Sequence, residues 1–168
     1  MSINKYQSHI LVLPEDDANR QIANGFILHP NLNGRAIQVL PSAGGWGKVL
    51  NDLKDVHAPE MQKYLYRMMV LLIDFDNQQE ERLSYVKNQI PQDLTDRVFV
   101  LGVVSEPENL RKIIQRTFEN IGEALSQDCS DDMNELWGHD LLKHNQPEVE
   151  RMILSVKPFL FEKNRHRF

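Results

Sequence analysis

The chain has 168 residues, a single cysteine and a formal net charge of −5, with a sequence pI of about 5.7. That length predicts one domain able to bury a core of its own. Cys129 alone excludes an intrachain disulfide and a cysteine-based zinc centre, which fits a reducing compartment, and the mildly acidic balance does not advertise a nucleic-acid binder.

The opening "MSINKYQSHILVLPEDD" holds a four-residue apolar run before its acids, too short for a signal peptide. No stretch approaches the roughly 18 apolar residues of a membrane span, so a cytoplasmic protein without a membrane partner is expected. "HILVL" predicts a buried strand over His9–Leu13, followed by the acidic loop Glu15, Asp16 and Asp17. "ANRQIANGFILHP" predicts a helix broken by Gly25 and stopped near Pro30. "GRAIQVLP" alternates as a second strand, Gly34–Pro41, and "SAGGWGK" reads as a glycine-rich turn. Trp46, Val49, Leu50 and Leu53 follow at helical spacing. Arg67–Ile73 predicts the third strand, and "QQEERLSYVKNQI" a helix with Leu83, Val86 and Ile90 on one face. Val98–Val104 predicts the fourth strand. "EPENLRKIIQRTFENIGEALSQD" predicts one long helix, with Pro107 in its first turn and acids early. The last forty residues predict short helices, one of them opened by Pro147 and carrying Val149, Met152 and Ile153. The tail "EKNRHRF" is basic and expected to fray. The organisation expected is an α/β domain over 1–128 with a helical C-terminal extension, 129–168, packed on it.

Strands alternating with helices predict an α/β fold with a mainly parallel sheet. Near-continuous apolar strands predict cover on both faces. Ligands of such sheets bind beyond the carboxyl ends of the strands. There the sequence delivers three acidic groups: Glu15, Asp16 and Asp17; then Asp74 and Asp76; then Glu106 and Glu108. Alternate residues of an extended segment point the same way, roughly 6.6 Å apart. Asp74 and Asp76 can therefore share one hard cation or each hold one of two. Oxygen-only ligands suit Mg²⁺ or Mn²⁺, and a metal pair assists phosphoryl displacement. The plainer alternative is that these acids cap and polarise the helices that follow.

"ILVLPEDDANRQIANGF", "AIQVLPSAGGWGKVL" and "LLIDFDNQQEERL" together resemble a Toprim-type domain over about residues 8–125. Such domains occur in topoisomerases, primases and overcoming-lysogenization-defect-type nucleases. Glu15 matches the family's glutamate after the first strand, and Asp74 and Asp76 match its DxD motif. Glu106 or Glu108 matches a glutamate that follows the fourth strand in small standalone members. The resemblance implies a Toprim-like sheet that binds Mg²⁺ (or Mn²⁺) and a nuclease-like phosphoryl transfer on nucleic acid. Glu15, Asp74 and Asp76 would be catalytic, Glu106 or Glu108 would assist, and Glu15 would also act as general acid or base. The non-catalytic alternative is a Toprim-like or receiver-like module that binds a partner protein, such as an ATPase subunit. The family's glutamate is usually followed by glycine, and here Asp16 follows.

"ILVLPEDDANRQI" is also similar to the opening of a response-regulator receiver domain. Asp16 and Asp17 would match its acid pair, Asp74 its phosphoacceptor, Ser105 its hydroxyl residue and Lys157 its lysine. The spacing between Ser105 and Lys157 is long for that family, and Asp76 has no role there. "SAGGWGKVL" fails as a phosphate loop of the Walker type: Ser42 stands where the first glycine belongs, and Val49 replaces the hydroxyl residue. It is expected to be a strand-to-helix turn, with Lys48 placed to meet a substrate phosphate. "DFDN" is similar to the start of haloacid-dehalogenase phosphatases, but lies mid-chain. His139 and His144, five apart, are expected to serve structure rather than a metal, and Cys129 is expected to be unreactive.

Overall fold

The computed structural model describes residues 3–162. The basic tail therefore falls outside the described residues beyond Glu162. Four strands, β1 (His9–Pro14), β2 (Ile37–Val39), β3 (Arg67–Leu72) and β4 (Val98–Leu101), form one sheet in the order β2-β1-β3-β4. All of its pairings are parallel, with Val12 opposite both Val39 and Val70, and Val70 opposite Phe99. The fold class is α/β, as the alternation predicts.

The two-residue period of a strand sends neighbouring side chains to opposite faces. Ile10, Val12, Val70, Phe99 and Leu101 enter one core. Leu11, Leu13, Met69, Leu71, Val98 and Val100 enter the other. The first face is covered by α1 (Asp17–Phe26), α5 (Pro107–Ile114), α6 (Phe118–Asp131) and α7 (Gln146–Leu160). The second is covered by α2 (Trp46–Asp52), α3 (Ala58–Lys63) and α4 (Gln79–Gln89), with a π-helical turn, Leu53–His57, between α2 and α3. Burial on both faces explains why the strands read as unbroken apolar runs.

Three local expectations are corrected. Gly25 does not break α1; it lies inside the helix where α6 crosses. A Cβ on Gly25 would stand 1.9 Å from the Glu119 carbonyl oxygen, and one on Gly122 would stand 1.9 Å from that of Ile22. The two glycines let the backbones touch. The long helix expected from Pro107 onward is two helices. Gln115 takes a left-handed conformation (φ 55°) and ends α5, and the Thr117 side chain caps α6 by accepting from the Asn120 amide. The second and fourth strands are shorter than expected, because pairing around β2 and β4 lasts only three and four residues.

The outer edge of β4 is closed by side chains rather than by a strand. Glu148 Oε2 accepts from the Val100 amide at 2.9 Å, and Arg151 Nη2 donates to the Val98 carbonyl at 2.6 Å. Asn145 accepts from the Gly102 amide and donates to its carbonyl. Burial alone would raise the pKa of Glu148. Hydrogen bonds from Arg151, Lys87 and the Val100 amide outweigh it and hold the carboxyl below the usual range. The position 128/129 falls within α6, and Trp137, Met152, Val156 and Leu160 from beyond it belong to the first core. No helix among the described residues is long and apolar enough to cross a membrane.

Candidate metal centre

The carboxyl ends of β1 and β3 lie side by side, and the chain just beyond them builds the site. The Glu15 amide donates to the Leu72 carbonyl at 2.8 Å, so parallel pairing continues one residue past β1. Glu15 is thereby held beside the exit of β3. Its Oε1 accepts from the Asp74 amide at 2.8 Å, leaving its second oxygen for another partner. The Glu15 carbonyl in turn accepts from the Gly44 and Gly45 amides. Those glycines have φ of 95° and 131°, a region that favours glycine. The glycine-rich turn is thus folded over the end of β1.

Asp16 is the N-cap of α1. Its Oδ1 accepts from the Asn19 amide at 3.0 Å and from Asn19 Nδ2 at 2.9 Å. The same Nδ2 donates to Asp74 Oδ1 at 2.8 Å. Asn19 is buried, and its own Oδ1 has no hydrogen-bond partner among the described residues. One buried amide thus ties together two carboxylates from different strand ends. The result is a cluster: oxygen atoms of Glu15, Asp16 and Asp74 lie within 4.8 Å of one another.

The electrostatics follow from that crowding. Burial pushes the Asp74 carboxyl up to about 7; the Asn19 hydrogen bond opposes this, and the charges of Glu15, Asp16 and Asp76 add to it. Burial also raises Glu15, against the pull of the Asp74 amide and with the push of Asp16 and Asp76. Among the described residues no lysine or arginine pairs with these three carboxylates; the nearby pairs are made by Asp17 and Asp76, so burial and mutual repulsion favour the protonated form of Asp74. A hard divalent cation fits the donor set, which is all carboxylate oxygen, and would replace that proton.

The remaining predicted residues are placed as follows. Asp76 and Asn77 both adopt left-handed backbone (φ 47° and 61°), which turns Asp76 outward. Its carboxylate pairs with Arg82 Nη1 at 2.8 Å, and that nitrogen also donates to the Asp74 carbonyl at 2.7 Å. Asp76 stands near enough to raise its neighbours' pKa values but is not one of the three clustered acids. Glu106 is the exposed residue before α5, and Glu108 lies in its first turn; neither joins the cluster. Both sit where a helix N-terminus favours acids. Lys48 is exposed, with its side chain running past Gly44 on the rim.

For the receiver resemblance, Asp17 faces outward to Arg20 and Gln21, and Lys157 pairs with Asp132 at 2.8 Å. Neither is part of the cluster, while Ser105 is buried after β4 with its hydroxyl unpartnered among the described residues. His139 Nδ1 accepts from the Leu141 amide within its own loop. His144 packs edge-on against Phe75, ring centroids 5.3 Å apart, and burial lowers its pKa. Cys129 is buried, and desolvation pushes its thiol up to about 12, which removes it as a nucleophile.

Two contributors lie outside the sequence motifs. Asn19 was legible only as the fourth residue of a capping pattern that begins at Asp16. Arg82 sits one turn into α4, and nothing in its local sequence marks it as the partner of Asp76. In comparisons with protein-family models, curated proteins and solved structures, nothing matches this chain.

Proposed function

We propose that Glu15, Asp16 and Asp74 bind Mg²⁺ or Mn²⁺ and that the protein carries out metal-assisted phosphoryl transfer on nucleic acid, as a Toprim-like enzyme. The observation that carries this reading is the convergence of three carboxylates within 4.8 Å at the carboxyl end of a parallel sheet. A bound divalent cation supplies charge stabilisation to the phosphoryl oxygens. The chain's own residues orient the carboxylates. Asn19 fixes Asp16 and Asp74 relative to each other. Glu15 is held through Oε1 by the Asp74 amide, and its second oxygen would be the one that meets the cation. Lys48 offers a cation to a neighbouring phosphate. Asp76, held by Arg82, sets the local field from outside the cluster. The substrate class rests on the Toprim resemblance; the metal rests on the geometry.

The test is calorimetric titration with Mn²⁺ alongside cleavage of labelled DNA and RNA. Saturable binding, with cleavage lost in Asp74→Asn and Glu15→Gln, is expected. No binding at millimolar Mn²⁺ would sink the metal centre. Binding without cleavage of any nucleic acid would remove the enzymatic half of the reading.

A further inference from the structure

The acid cluster is continuous with an aromatic and cationic strip whose rings, Trp46 and Tyr85, have no role in the metal centre. Arg82 links the two. One face of its guanidinium group lies 4.4 Å from the centroid of the Trp46 ring, while Nη1 holds Asp76 and the Asp74 carbonyl. Trp46 opens α2 directly after the Gly44–Gly45 turn, which is itself bonded to the Glu15 carbonyl. Trp46 packs on the second core and meets Tyr85 edge-on, with centroids 5.7 Å apart and planes at 83°. Tyr85 lies three residues after Arg82 on α4 and is 52% exposed. Lys48 makes no hydrogen bond or ion pair with any described residue, and its side chain lies over Gly44 on the same rim.

Each feature alone has a structural explanation. Trp46 fills core, and Arg82 secures the β3 exit. Tyr85 is different, because its ring is braced by Trp46 yet half exposed. A half-exposed ring braced by Trp46, in a strip that runs through Arg82 to Asp76 and with the Lys48 ammonium at the Gly44 turn before Trp46, offers the kinds of group that hold an unpaired nucleotide. The base stacks on the ring, the cation meets a phosphate, and no base edge need be read. Duplex bases are already stacked on each other and do not offer a free face.

We propose that Tyr85, braced by Trp46, is a base-stacking platform for single-stranded nucleic acid, with Lys48 holding the adjoining phosphate. This rests on the reading of the acid cluster as a phosphoryl-transfer site and names its substrate as unpaired strand.

The experiment is fluorescence anisotropy with a labelled oligothymidine of about 12 nucleotides and a blunt duplex of equal length, at low salt in EDTA. Wild type, Tyr85→Ala, Tyr85→Phe and Lys48→Ala proteins are compared after thermal melts show that they fold. Single strand is expected to bind more tightly than duplex. Tyr85→Ala should weaken it about tenfold, Tyr85→Phe should keep wild-type affinity, and Lys48→Ala should weaken binding and flatten its salt dependence. Equal affinities for wild type and Tyr85→Ala, a Tyr85→Phe protein as weak as Tyr85→Ala, or a preference for duplex would each overturn the proposal. EDTA separates the two readings. A protein that binds no Mn²⁺ yet needs the Tyr85 ring for single strand loses the metal centre and keeps the platform. A protein that binds Mn²⁺ but ignores Tyr85 does the reverse.

Discussion

Asp74 couples the site to pH because its carboxyl is buried among other acids. With its pKa raised from 3.8 to about 7, the native state binds more protons than the unfolded chain between those values. The metal-free protein is therefore expected to lose stability as pH rises from about 4 to 7, and Asp74→Asn should flatten that slope in denaturant melts. A cation must displace the proton, so affinity moves the other way. Mn²⁺ should bind about tenfold more tightly at pH 8 than at pH 6, following the ionised fraction of one group near 7; a flat profile would overturn this coupling of the metal to the Asp74 proton. Two residues beyond Phe75, backbone conformation decides instead. Asn77 sits at φ 61°, a region costing most side chains about 1–2 kcal/mol. Asn77→Val should lower stability by about that much, while Asn77→Gly should not.

At the scale of elements, the crossing of α1 and α6 depends on having no side chain at two points. Gly25→Ala would drive a methyl group into the Glu119 carbonyl, so the helices must part. A loss of about 2–3 kcal/mol is expected by chemical denaturation, in the range of overpacked cores. The same position shows where sequence reading stops. Gly25 looks like a helix breaker because local propensity says so, and the contact that makes glycine necessary inside the helix comes from a second helix about a hundred residues away. The four strands and most helices were legible, because burial on both faces writes itself as apolar runs and 3.6-residue spacing. The break between α5 and α6 was legible in principle, in Thr117 three residues before Asn120. It was hidden by hydrophobic spacing that runs on through it. In the site, Glu15 and Asp74 followed from their places after strands. The outward turn of Asp76 did not, since it depends on two successive left-handed residues and on Arg82 from another element.

For the whole molecule, a ligand that binds only the folded state stabilises it by mass action. Mn²⁺ at about a hundred times its dissociation constant should add roughly 2.7 kcal/mol, seen as a higher melting temperature that Asp74→Asn does not share. The closure of β4 has a different consequence. Its amides and carbonyls are held by Asn145, Glu148 and Arg151, and the same stretch of chain covers the first core. A protein ended after residue 128 would keep every acid of the cluster and still present a bare strand beside an uncovered apolar face. Such strands recruit one another. The shortened protein is expected to self-associate in gel filtration, with Glu148→Ala in the full chain showing a milder form. The acid-bearing half of the fold thus leans on Asn145, Glu148, Arg151 and α7, which carry none of the clustered acids, to cover its edge and one of its faces.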